Sequence, residues 1–578
     1  MHVTKRATAS SKDADGHRRL YVLLILIAII LASTYISMLS PYGPSYDGWD
    51  SYYYSLYAHN IDSFGYHSLY LTAFTTKYLM MLWMSLFYKV FGANLFADGL
   101  SGMPILAFTA ILVYLIGTSI SGRKAGLLSA LFFCFMPIIV VLSSSGGDDI
   151  FVAMFTALAM AALIYGIKNN SVTLYALAGF LGVVGATGSS VEELMIFVVM
   201  LPILLFYVLR RMSRKQYGLT LFFAAGMALG VLAIMAMGSV LMGNPLAYFD
   251  ARFMGLGYLS SISNTVSPAG YFMIYIFHYP FNLYDIGGSS SFPQSIVVNP
   301  FISDYSVPAG YNYFGYFGIA ALISSVYLLF KRDRRSFVIL FWFYALLLYL
   351  FFGTVSYHAY EFIIPLKRFM IILAPPMALT VGIAADGAYN ALGPKVHRGK
   401  RNERISAYKS AGIVMLSIAI AFILINSLID IPYIKNNDYV VSQYFRELGA
   451  EISSLPASDN VYLMTGLYNR NATGAYAIQL GSVSDLNSLY RIETDFYSGY
   501  SRDINYTTFK APACDNITNS SYFIIVNSDQ IDVQNDMLIN TTKFINECGL
   551  IEVFNRQYPN NAIVNGLEGV GLYRYIRR

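Results

Sequence analysis

Residues 20–39 read LYVLLILIAIILASTYISML, and this uncharged run decides the class of protein. A helix of about 20 apolar residues crosses the hydrocarbon core of a bilayer. The run is longer than the apolar core of a signal peptide, and no small-residue cleavage site clearly follows it. We therefore expect it to stay in the chain as a membrane helix, preceded by the basic tail 1–19.

The composition of the rest of the chain agrees with this reading. Hydrophobic residues make up 56% of the 578 residues and charged residues only 12%, against about 25% charged in an ordinary globular domain. The formal net charge is +5, but the basic residues fall mostly in short loops between apolar runs. We therefore exclude a soluble enzyme, expect membrane lipid as a partner, and expect no nucleic acid.

Further apolar runs follow the first, which gives about eleven spans in all. They lie near residues 102–120, 125–145, 149–167, 173–188, 191–209, 218–240, 314–330, 337–353, 369–386 and 410–429. The predicted fold is mainly α, a polytopic bundle of membrane helices over residues 20–431.

The charges of the loops predict the orientation of the bundle. Lys and Arg accumulate on the cytoplasmic side of membrane proteins, and here they cluster in alternate loops, for example at residues 210–215 and 331–335. This places the N-terminal tail in the cytoplasm, and an odd number of spans then places the C-terminus outside. We expect a multi-pass protein of the plasma membrane.

The polar C-terminal part, residues 432–578, is predicted to be a soluble extracytoplasmic domain. Short strand-like runs alternate there with helical stretches, which is typical of a small mixed α/β domain. Five N-x-S/T sequons, at Asn471, Asn505, Asn516, Asn519 and Asn540, agree with a location that meets a glycosylation machinery. We find no phosphate loop, zinc-ligand spacing or nucleophile elbow in it, so the chemistry is expected in the membrane part.

The cysteines of the chain fall into two groups. Cys514 and Cys548 lie in the C-terminal domain, whereas Cys134 lies inside an apolar run. Because extracytoplasmic domains meet oxidising conditions, a disulfide between Cys514 and Cys548 is plausible. The alternative is two free thiols.

Two predicted outer loops, residues 40–101 and 241–313, are much longer than ordinary connections, which makes them functional candidates. The first contains an apolar aromatic stretch from Tyr70 to Phe91 with Lys77 and Lys89. If this stretch crossed the membrane, every later loop would lie on the opposite side, and the basic loops would be outside. We therefore interpret it as a helix that lies in the outer interface or packs against the bundle.

Three pairs of carboxylates stand at outer helix ends or in the first outer loop, and the charge pattern brings all three to one face. The pairs are Asp47 with Asp50, Asp148 with Asp149, and Glu192 with Glu193. Carboxylates of this kind act as general bases or hold a divalent metal through oxygen ligands. A site with Mg or Mn bound through Asp50 and Asp149 is therefore possible.

Helix capping is the alternative function for each pair. Asp148 and Asp149 precede a predicted helix, and Ser189 with Glu192 forms a capping box. Asp47 can cap the next helix in the same way. Asp50 differs, because apolar residues at helical spacing follow it and would anchor its helix on the membrane core.

A family resemblance begins at the same place, in the residues Asp50, Ser51, Tyr54, Ala58, Ile61 and Gly65. They resemble the first outer loop of membrane glycosyltransferases that use polyprenyl-phosphate-linked sugars, the protein O-mannosyltransferase and aminoarabinose transferase group. The pattern of that group is Asp-Glu-x-x-Tyr-x-x-x-Ala-x-x-Ile/Met. Further matches follow in order at residues 91–94, 122–126, Pro137 and Asp149.

The resemblance implies a GT-C fold and the transfer of one sugar, of hexosyl or mannosyl type, from a polyprenyl (dolichyl) phosphate carrier. Transfer would go to a protein, lipid or glycan acceptor at the outer face, with inversion at the anomeric carbon. Asp50 is the expected base, assisted by Asp47, Asp148 or Asp149. The side chains expected to bind the substrate or its phosphate are Arg252, Lys367, Arg368, His358, Glu192 and Glu193. For the cations, snorkelling to the lipid headgroups is the alternative.

Other functions stay open at this point. The catalytic subunit of oligosaccharyltransferase shares the architecture, although its Trp-Trp-Asp-Tyr-Gly signature is absent from residues 432–578. A non-catalytic scaffold or receptor would use the outer domain as its binding module. A transporter would carry ionisable residues near the middle of its spans, often on broken helices of an internal repeat, and neither is evident here.

Overall fold

The computed structural model describes a mostly helical protein with a small sheet near its C-terminus. The described residues are 3–39, 54, 57–58, 61, 65, 76–92, 95–144, 149–185, 199–211, 214–251, 314, 316–331, 334–352, 371–392, 410–429, 431, 447–448, 451, 454–456, 460–464, 521–528, 545–557 and 567–575.

The described helices follow the apolar runs of the sequence. They are α1 (Val3–Leu39), α2 (Tyr78–Phe91), α3 (Leu95–Ser121), α4 (Arg123–Cys134), α5 (Pro137–Leu142), α6 (Asp149–Asn169), α7 (Val172–Gly185), α8 (Leu201–Arg211), α9 (Arg214–Met242), α10 (Phe317–Lys331), α11 (Arg334–Phe352), α12 (Ala374–Leu392) and α13 (Ser410–Ile429).

Six helical segments among the described residues are long and apolar enough to cross a membrane. They are Arg19–Met38, Phe96–Ser121, Ile150–Asn169, Gly218–Met242, Ile371–Leu392 and Ser410–Ile429. Every apolar run predicted from the sequence overlaps one of the described helices, which confirms a polytopic helical bundle. The count of about eleven spans stays a prediction.

The run predicted as one helix over residues 125–145 is instead two helices, α4 and α5. Pro137 is the first residue of α5, and it has no N–H to donate to the carbonyl of Phe133. The backbone N–H of Met136 donates to that carbonyl at 3.3 Å, and Phe135 donates to Leu131 at 3.2 Å. The proline therefore breaks the helix, and α5 continues beyond it.

The helices differ strongly in the share of their most apolar stretch that is buried. Of the most apolar stretch of Ile371–Leu392, 89% is buried, whereas the corresponding stretch of Ser410–Ile429 is only 6% buried. Helix α4 packs against α1, α3 and α12. A Cβ on Gly382 of α12 would lie 2.5 Å from the Ser129 backbone nitrogen of α4, so these two backbones are in close contact, as small residues allow in membrane bundles.

The bundle has two ends, which we name by residues that lie there. At the Ser37 end, the Ser37 hydroxyl of α1 hydrogen-bonds with the Ser143 hydroxyl just after α5, at 2.9 Å. At the Lys124 end, the Lys124 ammonium at the start of α4 lies 4.8 Å from the ring centre of Tyr389 near the end of α12. Helices α1 and α4 therefore run towards the Ser37 end, and α12 runs towards the Lys124 end.

Helix α2 contains the larger part of the stretch from Tyr70 to Phe91. It has 14 residues, about 21 Å at the helical rise, which is short of the roughly 30 Å hydrocarbon core. Its buried side chains, among them Met81, Met84 and Tyr88, belong to the core of the bundle, and α2 packs against α3. The described part of the stretch is therefore a short helix packed against the bundle, one of the two alternatives expected from the sequence.

The described strands near the C-terminus form a sheet in the order β1-β2-β4-β3. The strands are β1 (Asn460–Met464), β2 (Ser521–Ser528), β3 (Leu550–Gln557) and β4 (Leu567–Tyr575). β1 and β2 pair in parallel, and the other two pairs are antiparallel. A parallel pair requires a crossover connection, and this mixed sheet fits the α/β pattern of the sequence.

Candidate functional site at the Ser37 end

The described segments that lead to the candidate acidic residues lie at the Ser37 end of the bundle. Helix α1 ends there, and the chain continues to Asp47 and Asp50. Ser143 and Ser144 end the α5 segment there, and Asp149 is the first residue of α6. A Cβ on Gly226 of α9 would meet Ala176 of α7, and one on Gly230 would meet Val183, so α7 and α9 run in parallel. Helix α6 starts at the Ser37 end and finishes at Asn169, and α7 starts three residues later, at the opposite end. Helices α7 and α9 therefore both end at the Ser37 end.

The chain segments beside the other candidates lie at the same end. Helix α7 ends at Gly185, before Glu192 and Glu193. One described segment ends at Ala251, directly before Arg252. Another ends at Phe352, before His358, Lys367 and Arg368, and the next begins at Ile371. Because α12 runs from Ile371 towards the Lys124 end, its start faces the Ser37 end. The described neighbours of all candidate residues thus share one end of the bundle.

The candidate side chains themselves lie outside the described part of the chain. This holds for Asp47, Asp50, Asp148, Glu192, Glu193, Arg252, His358, Lys367 and Arg368, and for the side chain of Asp149. Their roles stay predictions.

Buried hydroxyl groups join α1 to the segment before Asp149. Ser33 donates to the carbonyl of Cys134 at 2.6 Å, and one turn later Ser37 donates to the carbonyl of Val140 at 2.7 Å. Because the single Ser37 proton goes to this carbonyl, the Ser143 hydroxyl donates to the Ser37 oxygen, 2.9 Å away. A Cβ on Gly102 of α3 would lie 1.9 Å from the Ser143 carbonyl oxygen. Three segments are therefore in tight contact here.

A buried cation lies in the first long loop. Lys77, directly before α2, is 5% exposed, and Tyr54 is fully buried. The Lys77 ammonium donates to the Tyr54 hydroxyl oxygen, and it lies 4.5 Å from the centre of that ring. Cations favour this position over an aromatic face. Tyr54 stands four residues after Asp50 in the sequence, and this contact holds Tyr54 against the start of α2.

Two hydrogen bonds fasten α2 to α3. Tyr88 donates to a carboxylate oxygen of Asp98, which is fully buried. The Trp83 indole N–H donates to the carbonyl of Ser101 at 2.8 Å, and Ser101 donates to the carbonyl of Asp98 at 2.6 Å. These bonds set the position of α2, and therefore of Lys77 at its start.

A polar turn follows α9 and leads to Arg252. The Asn244 side-chain oxygen accepts from the Leu246 N–H at 2.9 Å, and its amide donates to Asp250 at 3.0 Å. A Cβ on Gly238 would lie 3.3 Å from the Tyr78 hydroxyl oxygen. The turn is therefore close to the start of α2, beside the buried Lys77.

No group of three or more His, Cys, Asp or Glu side chains that could hold a metal ion is found among the described residues. The metal site considered from the sequence uses Asp50 and Asp149, whose side chains lie outside this part of the chain. A divalent metal therefore stays a proposal that rests on those two carboxylates.

The described cysteines are in two different states. Cys134 is a buried free thiol, and Cys548 is disulfide-bonded. Cys514 lies outside the described residues. Its pairing with Cys548 stays a prediction, although the chain contains no other cysteine than these three.

From the sequence, Lys77 is a basic residue of the apolar aromatic stretch and is not assigned to the site. Its burial and its contact with Tyr54 depend on how the loop folds back on α2. A lysine in an apolar aromatic stretch was the only available signal, and that signal equally indicates a snorkelling side chain.

Part of the chain matches a known protein family. Residues 76–241 match the family model described as dolichyl-phosphate-mannose-protein mannosyltransferase. This segment extends from α2 to the end of α9 and includes Lys77, Ser143 and Asp149. A comparison of the sequence with curated proteins finds no match.

Solved structures share the fold of the chain. ArnT from Cupriavidus metallidurans in the apo state aligns with a TM-score of 0.53 at 10% identity, over 95% of this chain and 97% of ArnT. ArnT bound to undecaprenyl phosphate aligns with a TM-score of 0.49 at 12% identity, over 95% and 97% of the two chains. At these identities the likeness shows the fold.

An oligosaccharyltransferase is similar as well. The Archaeoglobus fulgidus enzyme tethered with an acceptor peptide aligns with a TM-score of 0.50 at 14% identity, over 80% of this chain. This chain spans only 63% of the length of that enzyme. At 14% identity this likeness shows the fold alone, and the family match covers residues 76–241.

Proposed function

We propose that this membrane protein, which has the fold of the GT-C glycosyltransferases, transfers a single sugar from a polyprenyl (dolichyl) phosphate to an acceptor at the Ser37 end. The match of residues 76–241 to a family that acts with dolichyl-phosphate mannose carries this proposal. ArnT, which shares the fold, binds undecaprenyl phosphate. A mannosyl or other hexosyl donor follows from the family description alone.

The proposed reaction breaks the bond between the anomeric carbon and the phosphate oxygen and forms a bond to an acceptor hydroxyl oxygen. Asp50 takes the proton of that hydroxyl, and polyprenyl phosphate leaves with the bonding electron pair. Attack from the opposite face inverts the anomeric centre. One carboxylate suffices as the base, and cations stabilise the charge that develops on the leaving phosphate.

The other candidates take supporting roles in this proposal. Asp47, Asp148 or Asp149 orients the acceptor, and Asp50 with Asp149 would hold a divalent ion that polarises the phosphate. Around the donor phosphate and sugar we place Arg252, Lys367, Arg368, His358, Glu192 and Glu193. Lys77 joins the cations, because it is buried beside Tyr54, four residues after Asp50 in the sequence.

The proposed orientation puts the Ser37 end outside the plasma membrane, with the N-terminus in the cytoplasm and residues 432–578 outside. The alternation of loop charges supports this orientation. The outer domain would then lie on the side where the acceptor arrives. Variants of this domain would test whether it selects the acceptor.

The test is transfer of a radiolabelled sugar from a polyprenyl phosphate in isolated membranes that contain the full chain. We expect transfer by the wild type and a loss of at least about a hundredfold in Asp50→Asn, with an equal amount of the variant in the membrane. Normal transfer by Asp50→Asn contradicts the role of Asp50. Addition of EDTA tests the divalent ion, and Mg or Mn should restore any activity that EDTA removes.

A second candidate function is supported by the likeness to the oligosaccharyltransferase, which was solved with an acceptor peptide containing the NVT sequon. The same assay separates the two functions. Transfer of a lipid-linked oligosaccharide to an Asn-x-Thr peptide supports the oligosaccharyltransferase, whereas transfer of one sugar to a hydroxyl acceptor supports the function proposed first. No transfer from any lipid-linked donor favours a non-catalytic scaffold or receptor.

A further inference from the structure

The turn that follows α9 has a fixed backbone. Gly243 ends the helix at a φ of +70°, which glycine adopts without strain. The Asn244 N–H donates to the Gly238 carbonyl at 3.3 Å, as in a Schellman motif. The Asn244 carbonyl accepts from Ala247 at 3.2 Å, where a helical turn over residues 247–251 begins. The chain therefore enters the second long loop in one defined direction.

The carboxylate of Asp250 is held on this turn. The Asp250 N–H donates to the Leu246 carbonyl at 2.9 Å, and the Asn244 amide donates to Oδ2 of Asp250 at 3.0 Å. Asn244 is held in turn, because its Oδ1 accepts from the Leu246 N–H at 2.9 Å. Ala247 and Ala251 are buried, whereas Asp250 is half-buried. The turn therefore packs on the bundle and leaves the carboxylate partly accessible.

This carboxylate has hydrogen-bonding capacity left for a ligand. Within the described part of the chain, Asp250 accepts one hydrogen bond, from Asn244, and forms no ion pair. An ionised carboxylate accepts hydrogen bonds at about four lone-pair sites. It also repels a phosphate, which has the same sign of charge. Asp250 is therefore suited to a ligand that brings hydroxyl groups.

The turn lies beside the start of α2, at the Ser37 end. A Cβ on Gly238 would lie 2.7 Å from the Asn244 carbonyl oxygen and 3.3 Å from the Tyr78 hydroxyl oxygen. Tyr78 directly follows Lys77, whose ammonium donates to the Tyr54 hydroxyl. The Asp250 turn and the buried cation are thus neighbouring features, although they belong to two different long loops.

We propose that Asp250 binds hydroxyl groups of the donor sugar and contributes to the choice of that sugar. The proposal rests on the function proposed above, in which a sugar linked to a polyprenyl phosphate binds at the Ser37 end. Neighbouring hydroxyls of a hexose can donate to one carboxylate, and no proton transfer is involved. Asp250 recognises the sugar, whereas the cations bind the carrier phosphate.

The first experiment compares two kinds of ligand on the purified full-length protein in detergent. They are dolichyl phosphate and dolichyl phosphate linked to mannose, glucose or galactose. We expect at least one sugar to strengthen binding to the wild type. Asp250→Ala should weaken the binding of that sugar-linked carrier about tenfold, the contribution of a hydrogen bond to a charged group. It should leave the dissociation constant of dolichyl phosphate unchanged.

A matched control lies near the Lys124 end. The Asn390 amide donates to Oδ2 of Asp386 at 3.1 Å, so Asp386 and Asn390 form the same kind of pair as Asp250 and Asn244. Asp386→Ala should not change the affinity for either ligand. Asp250→Asn keeps the size of the side chain and removes its charge. This variant should also lose most of the affinity that the sugar adds.

The second experiment measures transfer by the same variants. We expect Asp250→Ala to change the ratio of kcat/KM between the mannose and glucose donors, because the loss of a contact to a hydroxyl group affects the two sugars unequally. Asp386→Ala should keep the wild-type ratio. A residue that only stabilises the turn would lower both values by the same factor.

A sugar-binding role for Asp250 is overturned if Asp250→Ala and Asp250→Asn weaken the bare and the sugar-linked carriers equally, or change neither. It is also overturned if none of the sugars strengthens binding to the wild type. The proposed function survives these results, because the carrier still binds. If the wild type binds dolichyl phosphate neither with nor without a sugar, the proposed function is contradicted, and the role of Asp250 with it.

Discussion

At the scale of single residues, the first long loop contains a buried cation, Lys77. Lys77 is held by the hydroxyl and the ring face of Tyr54, four residues after Asp50. A lysine that only snorkels would place its ammonium in water, whereas Lys77 is 5% exposed. The Lys77 ammonium is therefore not at a snorkelling position but at the Tyr54 hydroxyl.

The first prediction concerns this cation. Lys77→Met should raise the donor KM about tenfold, because it removes one charged interaction with the carrier phosphate, worth about 1.5–3 kcal/mol. Lys77→Arg, which keeps the charge, should lose less. The measurement is the rate of transfer as a function of the concentration of polyprenyl-phosphate sugar.

Lys89→Met is the matched control for Lys77→Met, since Lys89 lies on α2, which Lys77 directly precedes, but is exposed. It should leave the donor KM unchanged. The role of Lys77 is contradicted if both variants behave like the wild type. Arg368→Ala, measured in the same way, tests whether that cation also binds the phosphate or only snorkels.

At the scale of elements, close contacts between backbones hold the bundle together. Helices α7 and α9 meet at glycines, where a Cβ on Gly179 would lie 2.1 Å from the Phe223 carbonyl oxygen and one on Gly226 would lie 1.9 Å from that of Ala176. Such contacts exclude any side chain, and they allow extensive van der Waals packing without a hydrophobic driving force.

The second prediction tests this contact. Gly226→Ala should destabilise the protein by about 1–3 kcal/mol, because the new methyl group forces the two backbones apart. Gly218→Ala in the same helix meets nothing within 4 Å, and it should be neutral or slightly stabilising because alanine favours helix. Thermal unfolding of the purified protein in detergent compares the two variants. Equal melting temperatures would show that the contact is looser than described.

The third prediction concerns the attachment of α2 to α3. Tyr88→Phe removes a donor from the fully buried carboxylate of Asp98, and we expect a loss of about 1–3 kcal/mol in stability. Asp98→Asn removes the other partner of the same bond. The double variant should therefore lose less stability than the sum of the losses in the two single variants. Additive effects in this double-mutant cycle, measured by thermal unfolding, would contradict a direct bond between the two side chains.

At the scale of the whole molecule, the directions of the described helices bring every candidate segment to one end. That end would be extracytoplasmic in the orientation that the loop charges favour. The function depends on this orientation, because donor, acceptor and outer domain must meet on the same side of the membrane.

The fourth prediction tests the orientation. A membrane-impermeant maleimide applied to intact cells should label Ser145→Cys, which follows Ser144 at the Ser37 end. It should label Ser171→Cys, between α6 and α7 at the Lys124 end, only after the membrane is opened. The reverse labelling pattern would show that the protein has the opposite orientation, with the site on the cytoplasmic side. Loss of a glycan in Asn471→Gln would support an outer C-terminal domain independently.

The sequence by itself determined the class of protein and the positions of its helices. Apolar runs long enough to cross a bilayer can be read directly, because the lipid requires a continuous hydrophobic surface and internally bonded backbone. The alternation of loop charges and the order of motifs such as Asp50, Pro137 and Asp149 predicted one face for the site. The directions of the described helices place the chain segments beside these motifs at one end of the bundle.

Only the tertiary structure decided which side chains meet. The break before Pro137 divides a run that hydropathy alone reads as continuous, and Ser37 finds the Val140 carbonyl from more than a hundred residues away in sequence. Lys77 is buried in contact with Tyr54, which lies 23 residues away in the sequence. Contacts of this kind depend on how helices pack in three dimensions, and hydropathy and charge record only which side chains face lipid or water.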